Sequence, residues 1–351
     1  MQSTQSPQEF ESQLRTLATQ QGARRIGVCD LNQAQALAHL DRWLEQGFFG
    51  EMEWMRRGRD LRADLHQVHP NAQRIVIAAF DYLPEGAEPW SIINDPDKAY
   101  ISRYALGRDY HKTLRKRMKS IAQSLLEPGS FRVFADSAPV LEKHFAEQAG
   151  LGWIGKHTLI LSKDQGSWCF LAGFLTDQPL PTTDHKETSR CGSCSACIDI
   201  CPTQAIVAPY QLDATRCISY HTIEMEQPIP VEYRQAMGNR VFGCDDCQLV
   251  CPWNRYAQLG DTDFAPRHGW DDVDLLRLFN MDEAEFLSKT EGMAIRRAGH
   301  AKFRSNIAIA MGNADARADF IEALSCDTQA DPRMVEHRAW ALDQQRKKCS
   351  R

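Results

Sequence analysis

Apolar positions in the first half of the chain recur at two periods. Over 8–20 they fall at helical spacing (Phe10, Leu14, Leu17), which predicts a first helix. The short segment RRIGVCD over 24–30 reads as a strand. RIVIAAF over 74–80 is a continuous apolar run of strand length, FRVFA over 131–135 is another, and 168–176 returns to strand character. PVLEKHFAEQA over 139–149 reads as a helix closed by Gly150. This mixture of helices and strands predicts an α/β or α+β domain over 1–185. QPLPTTDHKETS over 178–189 is Pro- and Thr-rich and reads as a linker.

Beyond about 262 the pattern is helical, over 271–278, 282–287, 303–311, 317–324 and 333–344. RSNIAIAMGN followed by DPRMVEHRAWAL resembles one HEAT-like helix pair. One such unit cannot bury its own face, so it is expected to pack on the preceding domain. The expected architecture is α+β in three parts: 1–185, 186–262 and a helical region over 263–351.

Composition narrows the setting. Apolar residues make up 43% of 351, ample for ordinary cores. The opening MQSTQSPQEF has neither a basic nor an apolar leader segment, and no apolar run nears the roughly 20 residues that span a bilayer. The expected location is a reducing cytoplasm. The net charge of −5 requires any nucleic-acid contact to be a local basic patch.

The chemistry lies in the cysteines. Eight of twelve fall between 191 and 251. Cys191-x2-Cys194-x2-Cys197-x3-Cys201-Pro202 is the bacterial ferredoxin signature for a 4Fe–4S cluster, and Cys244-x2-Cys247-x3-Cys251-Pro252 repeats its last part. In two-cluster ferredoxins the fourth cysteine of each run ligates the other cluster. One cluster is therefore expected on Cys191, Cys194, Cys197 and Cys251. The other takes Cys244, Cys247 and Cys201, with Cys217 as its irregular fourth ligand, since Val241 stands at the symmetric position. Zinc sites favour separated Cys/His pairs, and disulfides suit small secreted chains; both explain the two runs less well. Cys29, Cys169, Cys326 and Cys349 have no spacing partners.

The region before the clusters carries neither G-x-G-x-x-G nor a P-loop. Asp109-x-His111-x-x-Leu114 is an incomplete version of the motif by which histidine ligates cobalamin, and it reads as chance. Several segments together resemble the epoxyqueuosine reductase family: SRYALGRDYHKTLRKRM, FADSAPVLEKHFAEQAGLGWIGKHTLIL, RCISY and GNRVFGCDDCQLVCPWN, around CGSCSACIDICPTQAI. They cover most of 100–255.

That resemblance implies an N-terminal cobalamin-binding domain and a reaction on tRNA. The clusters would charge cobalamin to cob(I)alamin, which deoxygenates the epoxide of epoxyqueuosine at the wobble position. A low-potential flavodoxin or ferredoxin would supply electrons. The resemblance makes Asp136 the proton donor, with a pKa raised by burial against the corrin. The plain alternative is a helix cap near Pro139. Matching segments imply cobalamin contacts at Arg62, Ser102, Arg103, Asp136, Lys156, His157, Thr158, Ser219, Asp245 and Asp246. The glycines of LGWIG would let backbone amides approach the corrin. Basic groups at Arg115, Lys116, Arg117 and Lys119, at Arg234 and Arg240, and at Arg296, Arg297, Lys302 and Arg304 are candidates for tRNA phosphates, the last group first. Two other classes remain: a reductive dehalogenase-like enzyme acting on a small molecule, and a plain electron carrier.

Overall fold

The computed structural model describes residues 6–183 and 187–350, so the expected boundary at 185/186 and part of the linker lie outside the described residues. The first helix is Pro7–Gln20, opened by a capping box between Ser6 and Glu9. The main sheet orders its strands Arg25–Cys29, Arg74–Asp81, Cys169–Thr176 and Phe131–Phe134, and every neighbouring pair is antiparallel. An α/β reading of this region is thereby corrected to α+β, because no parallel crossover builds the sheet.

The run RIVIAAF is apolar throughout because the sheet is covered on both faces. Val76, Ala78 and Phe80 face a core with Phe10, Leu14, Leu114 and Met118. Ile75, Ile77 and Ala79 face another with Leu65, Phe145 and Ala146. Alternate side chains of one strand thus enter two cores. The helix Tyr110–Leu125 supplies much of the first. Its apolar residues Leu114, Met118, Ile121 and Ala122 are buried, and Asp109 caps it by accepting from the His111 amide.

A second sheet crosses the expected divisions. Lys98–Ile101 pairs in parallel with Arg240–Phe242 and antiparallel with Val273–Asp274. Each strand comes from a different expected region. Ala99, Ile101, Val241 and Phe242 then share one core with Leu275, Phe303 and Met334. The C-terminal helices Gly299–Asn313, Ala318–Cys326 and Pro332–Cys349 pack on one another and on this sheet.

Arg333 fastens the same joint. It is buried and donates to the carbonyls of His221, Met225 and Gln227 and to Asn306 Oδ1. Among the described residues no helix is long and apolar enough to cross a membrane.

Candidate functional site

None of the twelve cysteines forms a disulfide. Cys191, Cys194, Cys197 and Cys251 line one cavity of about 240 Å³, together with His157, Trp253 and Tyr256. Three ligands of the first run and the last of the second thus share a space. The short helical turns Ala196–Asp199 and Asp246–Leu249 pack against each other and bring the runs together. Cys201, Cys217 and Cys247 form the other neighbourhood. Burial pushes the Cys247 thiol up, and the nearby Cys217 and Cys201 add to it. Among the described residues no three His, Cys, Asp or Glu side chains converge tightly enough for a single metal ion.

Cys217 sits at the start of the helix Ile218–Ile223. Burial raises its pKa, while the amides of Tyr220 and Ser219 pull it back, so backbone donors face the sulfur. That places Ser219 by its amide rather than its side chain.

The carboxylates between Cys244 and Cys247 are held by the protein itself. Asp245 accepts from Tyr100 Oη at 2.8 Å, Ser102 Oγ at 2.6 Å and the Arg103 amide at 2.8 Å. Arg103 sends its guanidinium to the Ala87 carbonyl. Asp246 is paired with Arg240 through both oxygens, at 2.7 and 2.5 Å. These groups brace the second cysteine loop against the Lys98–Ile101 strand.

Lys156 Nζ donates to the Gly192 and Cys194 carbonyls at 2.7 and 2.8 Å, backing the first cysteine loop. The glycines of LGWIG answer to the protein's own packing. A Cβ on Gly152 would stand 1.9 Å from the Leu161 carbonyl oxygen, and one on Gly155 would strike Leu161 and His157. Thr158 completes that turn at φ +69°. Buried polar atoms without a partner mark where an external group would fit: Arg62 Nη1, His157 Nε2 and Trp153 Nε1. Each such atom costs about 1–3 kcal/mol if left unpaired. Burial also pulls His157 down to about 4, so its ring is neutral. A large cofactor rich in amide acceptors and donors suits this set.

Asp136 lies just beyond the strand Phe131–Phe134, in the left-handed region at φ +59°. It caps no helix. The following helix is Glu142–Gln148, shorter than the predicted 139–149 and without a side-chain cap. Gly150 closes the helix at φ +75°, as expected.

The Asp136 carboxylate accepts from Tyr110 Oη at 2.6 Å and lies 3.0 Å from His111 Nε2. Glu142 accepts from the Asp136 amide at 2.7 Å. His111 Nδ1 is 2.7 Å from Asp109 Oδ1, and its Nε2 is also 2.9 Å from Arg297 Nη1. Tyr110 is stacked between His111 and Phe170, each ring 4.1 Å away.

Among the protein's own groups the Asp136 shift runs downward. Burial raises its pKa, but hydrogen bonds from His111 and Tyr110 and the charges of His111 and Arg297 outweigh it, and the result lies below the usual carboxylate range. Its side chain is 58% exposed. Glu142, by contrast, is pushed well up by burial and by the Asp136 charge.

Sequence reasoning passed over Tyr110, His111, Asp109 and Glu142. The available signal was a capping Asp two residues before a His inside the segment SRYALGRDYHK.

Two members of the favoured basic group, and two from the other groups, are already paired within the protein. Lys302 is buried and donates to the Ile223 carbonyl and Glu226, and Arg304 is tied to the Phe279 carbonyl and Asp327. Arg117 pairs with Asp261 and Asp263, and Arg234 is buried against Glu336. Lys112, Lys116 and Lys119 remain exposed along one face of the helix Tyr110–Leu125.

A family described as "Epoxyqueuosine reductase QueG, DUF1730" matches residues 62–137, and a "4Fe-4S double cluster binding domain" matches 190–254. The epoxyqueuosine reductase of Pseudomonas aeruginosa is 47% identical over 341 residues, covering 96% of this chain and 94% of that one. The Escherichia coli K12 enzyme is 48% identical over 328 residues, 92% of this chain and 86% of the relative. A crystal structure of epoxyqueuosine reductase with an epoxyqueuosine-modified tRNA-Tyr stem loop superposes with a TM-score of 0.86 at 26% identity, covering 97% of this chain and 91% of that one. The Bacillus subtilis enzyme, described with an aspartate-bearing catalytic loop swung out of its active site, gives 0.83 at 25% identity, with 97% and 91% covered.

Proposed function

The chain belongs to the epoxyqueuosine reductase family, and on that premise we infer that it reduces epoxyqueuosine to queuosine in tRNA with two 4Fe–4S clusters and cobalamin. We propose the crossed ligand sets for the clusters: Cys191, Cys194, Cys197 and Cys251 for one, and Cys201, Cys217, Cys244 and Cys247 for the other. The shared cavity of the first four thiols supports the first set. We further propose that the N-terminal region holds cobalamin, that the ferredoxin-like module runs over 186–262, and that the C-terminal helices form one HEAT-like unit. The reading is completed by a cytoplasmic setting and a low-potential donor such as flavodoxin or ferredoxin.

When bound, cobalamin supplies the low-potential cobalt centre through which electrons reach the epoxide. Arg62 and His157 would meet its peripheral amides with their unpartnered nitrogens. Ser102 and Arg103 act through Asp245, and Lys156 through the first cysteine loop, keeping the clusters in place. Asp136 donates the proton to the departing oxygen. A cofactor and a base covering its exposed edge would strip water from the carboxyl and raise its pKa toward the working range. Lys112, Lys116 and Lys119, exposed on the helix that carries Tyr110 and His111, would meet tRNA phosphates.

The observation that carries this reading is Asp136 itself, held in left-handed backbone between Tyr110 and His111. The test uses reconstituted protein, cobalamin, a reductant and tRNA bearing the epoxide, with nucleosides resolved by mass spectrometry. Wild type should yield queuosine. Asp136→Asn should keep the spectra of clusters and cobalamin yet lose about 1,000-fold or more in turnover, as loss of a general acid does. An active variant would remove Asp136 from the reaction.

A further inference from the structure

Epoxide deoxygenation has a fixed balance. Two C–O bonds break and one C=C π bond forms. Two electrons enter from the reduced clusters, and the oxygen leaves as water, taking two protons. A carboxyl group holds one proton. The exposed edge of Asp136 is the edge a substrate would cover, so a second proton has to reach Asp136 from behind.

Two side chains with protons stand there. Tyr110 donates to Asp136 Oδ2, but its hydroxyl is pushed far up, mainly by burial and by the Asp136 charge, and it keeps its proton. His111 is buried under the Tyr110 ring, with 4% of its side chain exposed. Burial pulls its pKa down, but the hydrogen bonds to Asp109 and Asp136 outweigh that and raise it. Asp109, itself held below the usual carboxylate range, keeps a hydrogen on Nδ1. The working nitrogen is therefore Nε2.

That nitrogen has two incompatible neighbours. Arg297 can only donate, so it pairs with Nε2 when the ring is neutral. The Asp136 carboxylate can only accept, so it pairs with Nε2 when the ring is protonated. Arg297 has Asp109 Oδ2 at 3.6 Å as its alternative partner. The remaining charged groups around Asp136 are Glu142 and Lys143 on its own loop and Glu224 from the cluster module.

We propose that His111 is the positioning residue that delivers the second proton through Asp136, with Asp109 fixing its tautomer and Arg297 holding its neutral state. The step moves one proton from His111 Nε2 to the Asp136 carboxylate after the first has gone to oxygen. The proposal rests on the reductase reading above.

The test combines a titration with kinetics on the fully reconstituted protein. The ring signal of His111 is followed by ¹³C-histidine NMR and assigned through His111→Gln. Asp136→Asn and Asp109→Asn should lower its midpoint, and Arg297→Gln should raise it. His111→Gln should lower kcat about 100-fold with KM unchanged, and it should erase the wild-type alkaline limb while cluster and cobalamin spectra stay intact. Arg297→Gln should keep that limb and move it upward. A midpoint indifferent to Asp136→Asn, or a His111→Gln profile of wild-type shape, overturns the proposal while wild-type turnover leaves the reductase reading standing. Absent wild-type turnover is failure of the reading itself.

Discussion

Seven of the eight expected cluster ligands come from two short runs, 191–201 and 244–251, whereas the groups around Asp136 come from 109–111, 136, 142 and 297. The cluster end carries its geometry in local spacing, since thiols two residues apart on one loop converge without help from the rest of the fold. The proton end has no local geometry. The helix Tyr110–Leu125, the turn after Phe131–Phe134 and the segment before Gly299–Asn313 must all be in place before Asp136, His111 and Arg297 meet. Electron supply should therefore survive damage to the fold better than proton supply does.

The largest effects should come from the one place where the cluster end is also non-local. Cys251 lies in the second run but lines the cavity of the first. Cys251→Ser and Cys194→Ser should therefore disturb the same cluster. Cys217→Ser and Cys247→Ser should disturb the other. Each should reduce iron from about eight to about four atoms per chain and abolish turnover. Pairwise EPR signatures that group Cys251 with Cys247 instead would undo the crossed assignment.

The same contrast explains what could be read in advance. The helix Pro7–Gln20 was legible because burial on one face imposes a period, and the strands Arg25–Cys29 and Arg74–Asp81 because burial on both faces leaves a short continuous apolar run. Lys98–Ile101 was not, because its four residues find partners at 240–242 and 273–274. Asp109-x-His111 looks like a broken ligand motif until the fold aims its Nε2 at Asp136. Lys302 and Arg304 look like a basic surface until Glu226 and Asp327 are seen beside them. Charge in a sequence does not reveal whether it is already paired.

Breaking the joint between the segment 221–227 and the C-terminal helices should be next in size. Arg333 is buried, with its pKa pulled down to about 10 chiefly by burial, and it satisfies three carbonyls. Arg333→Met keeps bulk but strands those acceptors, which should cost about 3 kcal/mol in urea unfolding. Turnover should suffer at milder urea than the cluster absorbance does. Simultaneous loss of both would make the two ends one cooperative unit. Smaller still is the substrate face. Lys116→Glu with Lys119→Glu should weaken tRNA binding about tenfold and flatten its salt dependence, without changing cofactor spectra. Unchanged affinity would move the phosphate track elsewhere.

The smallest effect isolates the proton pair itself. His111 has a folded pKa raised above the roughly 6.5 of a free imidazole, so its contribution to stability is whole below that value and is lost as pH rises through the folded one. Asp136 has a lowered pKa, so its contribution is present above about 3.9 and is lost as pH falls through the folded value. The pair is therefore charged and attractive between those limits. Because the Asp136 side chain is 58% exposed, water screens it, and the pair should be worth less than about 1 kcal/mol. Asp136→Asn should lower Tm by about 2 °C at pH 6 and by less at alkaline pH, once His111 has lost its proton and turned to Arg297. A Tm difference constant across that range would mean that His111 and Asp136 share no titrating proton, and the proton end would then be as static as the cluster end.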